Sequence, residues 1–231
     1  MKDKKPIFLI LLSMLIVGLL YRHSLAAADC DESIAVQKAC GLSGVTCSNK
    51  IFESNQIKRF SDKIVRNDKE LQLKIASGPP IILRNTGAGN ENKKFYWFLT
   101  YFQQTQYYLV QVRGWEGFGY LMISASSGHI IPFMGIPIIS KDLKRCVVTS
   151  LDLEAGYRPN RITIFRFVDN GVKQEWSKNY TTSGPSHAAW IDNTIIAFFV
   201  NTSKNGGQSF SQKRVRLQLG KEGWKIMTKA D

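Results

Sequence analysis

The apolar pattern changes character along the chain. Ile7 to Leu20 form a nearly continuous apolar run, whereas from Lys58 onward apolar and polar residues alternate in short stretches, the period of strands that bury one face. Leu71, Leu73 and Ile75 alternate in this way, a Gly78-Pro79-Pro80 break follows, and Ile81 to Leu83 resume. Phe95 to Phe102 is apolar on both faces, which predicts a strand covered on both sides and central to its sheet. Further strands are predicted at Tyr107 to Val112, Tyr120 to Ser124, Cys146 to Leu151, Ile162 to Val168, Ile195 to Val200 and Val215 to Leu219. Only Asp31 to Cys40, with its acidic start, its alanines and Gly41 just beyond, has the signature of a short helix. The polar stretch Ser43 to Asn55 reads as an irregular linker.

The strand pairs repeat. Leu121-Met122-Ile123 leads through Ser127-Gly128 to Ile130-Ile131, Ile164 to Phe167 leads through Asn170-Gly171 to Val172, and Val215 to Leu219 leads through Glu222-Gly223 to Trp224. With a weaker unit at Leu71 to Leu83, this makes about four units of roughly 40 to 50 residues, the spacing of propeller blades. The expected fold is mostly β, with antiparallel blade-like sheets forming a small or incomplete β-propeller. A β-sandwich is the alternative.

Two phrases add a family resemblance. Pro137 to Val148, with Ser140, Asp142, the basic pair Lys144-Arg145 and then an apolar strand, resembles the phrase that opens blades of TolB-type propellers, and Ala188 to Ile196 is similar to its next copy. The resemblance covers about residues 95–226. Where that family has a glycine in the turn, this chain has Leu143. The resemblance implies binding and scaffolding in the bacterial periplasm more often than catalysis.

The basic start (Lys2, Lys4, Lys5), the short apolar run and the Ala26-Ala27-Ala28 exit predict a secretory signal over residues 1–28, with an uncleaved anchor as the competing reading. The expected organisation is then a disulfide-tied segment, 29–57, and a β domain, 58–231. Four cysteines, Cys30, Cys40, Cys47 and Cys146, predict two disulfides in an oxidising compartment, periplasmic or secreted, with at least one bridge stapling the N-terminal segment to the β body. There is no Cys-x-x-Cys pair with nearby histidines, so no metal is expected, and no cofactor.

Charge bears on partners. The whole chain carries +13, and removal of the signal takes away four basic residues and one acid, leaving about +10. A basic exported protein meets anionic envelope components or acidic protein surfaces; nucleic acid is not expected in that compartment. The candidate contact residues lie in two loops: Arg113, Trp115, Glu116 and Phe118 in a glycine-punctuated aromatic stretch, and Tyr157, Arg158 and Arg161 in a long connection. Catalytic patterns are poor. Ser186 adjoins His187, but neighbours on a regular strand point to opposite faces. Asp152 and Glu154 share a face only if their strand runs on through both, with Glu116 as a third carboxylate. The leading expectation is a non-enzymatic exported binding or assembly protein. The alternatives are a glycan or cell-wall hydrolase using those carboxylates and an inhibitor of an extracellular enzyme.

Overall fold

The computed structural model describes residues 28–41, 46–87, 93–115, 117–169, 171–204 and 209–227. Nearly all of the expected signal segment and the candidate Glu116 lie outside the described residues. Among the described residues, two helices precede fifteen strands. Helix α1 covers 28–40 and ends where Gly41 takes a left-handed φ of 61° and donates its N–H to Gln37 O. Helix α2, Lys50–Arg59, replaces the expected linker: Asn49 caps it by accepting from Phe52 N at 2.8 Å, Glu53 stands in its first turn, and Lys58 and Arg59 close its last. The residue it buries is Glu53 and its Ile51 is exposed, so no apolar stripe announced it.

The strands form four open antiparallel sheets, each built from consecutive segments. Sheet A holds β1 (Ile64–Arg66), β2 (Glu70–Leu73) and β3 (Ile81–Arg84). Sheet B holds β4 (Phe95–Phe102), β5 (Tyr107–Arg113), β6 (Phe118–Ser124) and β7 (Ile130–Phe133). Sheet C holds β8 (Ile138–Ile139), β9 (Arg145–Ser150), β10 (Asn160–Val168) and β11 (Gly171–Tyr180). Sheet D holds β12 (Ser183–Trp190), β13 (Ile195–Lys204), β14 (Ser209–Gly220) and β15 (Gly223–Met227). Four sheets stand where a sandwich has two. The turn glycines of the repeat, Gly128, Gly171 and Gly223, have φ of 74°, 141° and 97°, and each joins the third and fourth strands of its sheet.

Each sheet packs on the next in chain order. One apolar core, with Leu71, Leu73, Phe98, Tyr108 and Val110, fills the space between sheets A and B, where Tyr108 donates its hydroxyl to Lys74 O at 2.6 Å. A larger core joins α1 with sheets B, C and D. Phe133 meets Phe165 at 5.0 Å and Tyr107 meets Phe167 at 5.8 Å between B and C; Trp190 donates its indole N–H to Ile138 O at 2.8 Å between D and C. Sheet B is therefore covered on both faces, as the composition of β4 predicted. But β4 is the terminal strand of the sheet, not a central one. Its open edge is occupied: Phe98 N donates to Glu53 Oε1 at 2.9 Å, Tyr96 N to Asn85 Oδ1, and Tyr96 O accepts from Arg66. An interior position and an edge position coincide because the two helices and sheet A cover what no further strand does.

The disulfide expectation is corrected. Cys40 and Cys47 are bridged, tying the end of α1 to the residues just before α2, while Cys30 and Cys146 are buried free thiols. No covalent staple to the β body is formed. Instead α1 docks through polar bonds: the buried Asp29 carboxylate accepts from Gln104 N, Thr105 N and Thr105 Oγ1, Thr100 donates to Glu32 at 2.6 Å, and Ser33 Oγ accepts from Ile139 N. The turn at 103–106 has no acid of its own, and Asp29 supplies one. The corresponding turns of sheets C and D use Asp142, which accepts from Lys144 N and Ser140 Oγ, and Asp192, which accepts from Thr194 N and Oγ1.

Candidate functional site

The two candidate loops meet, though not as free arms. Arg113 and Phe118 face each other across the β5–β6 hairpin, closed by a 2.8 Å bond from Gly114 N to Gly117 O. Arg158 reaches over from the 151–159 connection and lays its guanidinium 4.1 Å from the Phe118 ring centre, while Phe118 meets Tyr120 edge-on at 5.9 Å. Arg158 also donates to Leu151 O, and its backbone N–H bonds Asp152 Oδ2. It is thus part of the loop's internal frame. Arg113 donates to Ser48 Oγ at 2.8 Å. Arg161 lies within β10, its backbone paired between Ser150 and Asn179. Of the candidates, Trp115 and Tyr157 project furthest, each 63% exposed.

Trp115 does not stand alone. Its neighbours Lys93, Phe95, Trp97, Arg113 and Gly114 line a cleft of about 400 Å³ with it. Phe95 and Trp97, two apart on β4, point to the same face, and Lys93 Nζ lies 5.1 Å from the Phe95 ring centre. The same two aromatics form the wall of a second cleft, of about 590 Å³, whose opposite side is one face of α2. Lys50, Glu53, Ser54, Ile57 and Lys58 recur there at helical spacing, and Arg66, Asn67, Asp68 and Asn85 complete the lining. Arg66 joins Glu53 at 3.5 Å, with its Nη1 buried and unpartnered among the described residues. Burial pushes the Glu53 carboxyl above its ordinary range, against the opposing pull of the Phe98 N–H and the Arg66 charge. The reading of β4 as a central strand hid Phe95 and Trp97. The signal that marks them is Lys93-Lys94 directly before an aromatic i, i+2 pair.

A third feature lies where α1 meets sheets B, C and D. A cavity of about 50 Å³ is lined by Tyr120, Gly135, Ser150, Arg158, Ser186 and His187 among others. The expectation that Ser186 and His187 face apart is overturned, because β12 is bulged between Ser186 and Ala189 and His187 adopts φ 50°. That conformation brings Nδ1 to 3.1 Å from Ser186 Oγ. Asn201 Nδ2 donates to the same oxygen at 2.7 Å, and Gln212 Nε2 donates to Asn201 Oδ1. The chain of bonds satisfies a buried serine and asparagine and fixes the bulge. Among the described residues, the contacts of the imidazole are with Ser186 and Phe199, and no carboxylate is seen to orient it as the third member of a hydrolytic triad would. Nearby, burial pushes the Tyr120 hydroxyl up to about 12, in spite of its bond with Gln111.

The carboxylate pair of the hydrolase alternative is not assembled. Strand β9 stops at Ser150, so Asp152 and Glu154 do not share an extended face; Asp152 instead accepts from Ala155 N, Gly156 N and Arg158 N, and Glu154 is exposed. Among the described residues there is no cluster of three His, Cys, Asp or Glu side chains placed to hold a metal ion, and no helix is long and apolar enough to cross a membrane.

The chain matches no known protein family, no curated protein and no solved structure.

Proposed function

We propose that this is an exported binding or assembly protein, built as a small incomplete propeller, that engages an envelope partner through the rim around Trp115. The observation that carries the reading is the exposed Trp115 at the mouth of a cleft shared with Phe95, Trp97, Lys93 and Arg113. A large aromatic held in water beside cations has no role in the core and is the usual anchor of an interface. The Cys40–Cys47 bridge is compatible with an oxidising compartment.

The propeller reading has two supports beyond the four sheets. Each turn glycine falls between the same two strands of its sheet, and Leu143, standing where TolB-type turns have glycine, takes the left-handed φ of 59° that glycine would supply. The test of the binding reading is capture of a partner from an envelope extract at low and high salt by the wild-type protein and by Trp115→Ala. Capture that persists at high salt and is lost in the variant supports a packed contact at this rim. Capture unchanged by the substitution, or seen only at low salt, overturns it.

A further inference from the structure

The clefts on either side of Phe95 and Trp97 share those residues and so read as one groove, running from the α2 face to the Trp115 loop. We propose that this groove binds a linear acidic glycan, stacking sugar rings on Phe95, Trp97 and Trp115 and holding ring carboxylates with Lys50, Lys58 and Lys93. The proposal rests on the binding reading above and names its ligand class.

Three observations select this chemistry. First, the aromatics lie in a row: Phe95 and Trp97 are two residues apart on one strand face, and Trp115 lines the same cleft from the hairpin beside them. Successive same-face residues on a strand are separated by about 6.5–7 Å, so the two rings offer adjoining aromatic surfaces on one face. Second, cation and aromatic are adjacent, with Lys93 Nζ 5.1 Å from the Phe95 ring centre. That arrangement suits a ligand whose stacking surface and negative charge belong to the same unit, as in a uronic acid. Third, the lining includes Glu53 and Asp68 beside Lys50, Lys58 and Arg66. Glu53 is already engaged by Phe98 N and Arg66, so Lys50 and Lys58 leave the wall a cationic balance suited to an anionic chain, and the oligonucleotide arm of the titration separates a glycan from a single-stranded nucleic acid. Asn67 and Asn85 spend their Oδ1 atoms on the backbone N–H groups of Glu70 and Tyr96, so what each offers a ligand is a donor.

Hexagalacturonate is the probe, titrated calorimetrically against the purified protein with Cys40–Cys47 intact, beside its methyl-esterified form and a thymidine octanucleotide. The acid form is expected to bind, esterification to weaken it roughly 10-fold, and Trp97→Ala and the Lys50→Ala, Lys58→Ala pair each to weaken it by about as much. Lys50 and Lys58 are exposed on α2 and carry no core contact, so the double variant tests the groove even if Trp97→Ala destabilises sheet B. Equal binding of the neutral ester, tighter binding of the oligonucleotide, or unchanged affinity in the lysine pair would overturn the proposal. Failure here, with partner capture still dependent on Trp115, removes the ligand class alone; failure of both removes the binding reading as well.

Discussion

Glu175 gives the most quantitative test of how the sheets are held. Strand β11 pairs Trp176 with Ile164 and Gln174 with Phe165, which leaves Glu175 as the extra residue of a bulge. The bulge turns its carboxylate between two arginines: Arg145 donates at 2.6 and 3.2 Å and Arg166 at 2.5 Å. Arg145 also lies 6.0 Å from the Trp224 ring, so the clamp ties three strands of sheet C to sheet D. Burial raises the Glu175 pKa, but the bonds from Arg145 and Arg166 outweigh it and hold the group at about 2. Against an ordinary value of 4.5, complete linkage would amount to about 3 kcal/mol, and partial solvent access reduces this to about 2. Removing one member of a buried pair costs about 3–5 kcal/mol, and the exposure of Arg166, 54%, brings that estimate down to a similar figure. Glu175→Gln is therefore expected to lower Tm by about 4–8 °C at pH 7. The sign of the pH dependence follows from the depressed pKa. The stabilisation is complete above about 4.5 and is lost as pH falls toward 2, so the gap between wild type and variant narrows from pH 5 to pH 3. Thermal unfolding followed by circular dichroism at pH 7, 5, 4 and 3 reads it, with the more exposed Arg166→Gln giving the smaller loss. A gap below about 1 °C at pH 7, or one of equal size at pH 3, would mean that the two arginines do not stabilise the Glu175 carboxylate.

Three further outcomes are expected. Asp29→Ala removes the acceptor of two part-buried backbone N–H groups and a hydroxyl, and a loss of about 1–3 kcal/mol with faster amide exchange at Gln104 and Thr105 checks it. Reducing the Cys40–Cys47 bridge, whose half-cystines are 7 apart in sequence, lowers stability by about 2 kcal/mol in denaturant titration, whereas Cys30 and Cys146, whose thiols burial pushes up, react with a thiol reagent only once the chain unfolds. His187→Gly relieves a left-handed φ at the loss of a part-buried contact to Ser186 and an edge-on contact to Phe199, so its Tm is expected to equal or exceed that of the wild type; a fall of several degrees would mean that these contacts outweigh the strain.

The strands were legible wherever apolar alternation and a turn residue coincided. Gly128, Gly171 and Gly223 marked three hairpins because a positive φ leaves few residue choices, and Leu71 to Leu83 showed the Gly78 break. What escaped were elements stabilised by their surroundings. Helix α2 has a polar cap and no apolar stripe, and it is held by Glu53 reaching the β4 edge, a contact 45 residues distant in sequence. Strand β12, Ser183–Trp190, contains Gly184 and Pro185 and carries no alternation to read. At the candidate site, Trp115 and Phe118 could be picked out as aromatics among glycines. That Arg158 would be consumed by Phe118 and Asp152, and that Phe95 and Trp97 would line a groove with α2, depends on packing between segments far apart in the chain.

The docking of α1 has a kinetic consequence. Every sheet is made of neighbouring strands, so each hairpin closes over a short loop and forms quickly once its residues are available. The first helix is different, for its partners lie 75 residues away at Gln104 and 106 away at Ile139. Synthesised ahead of its partners, it has nothing to bind until the second and third sheets exist, and so it is expected to be among the last parts of the chain to settle, sealing a body that has already assembled behind it.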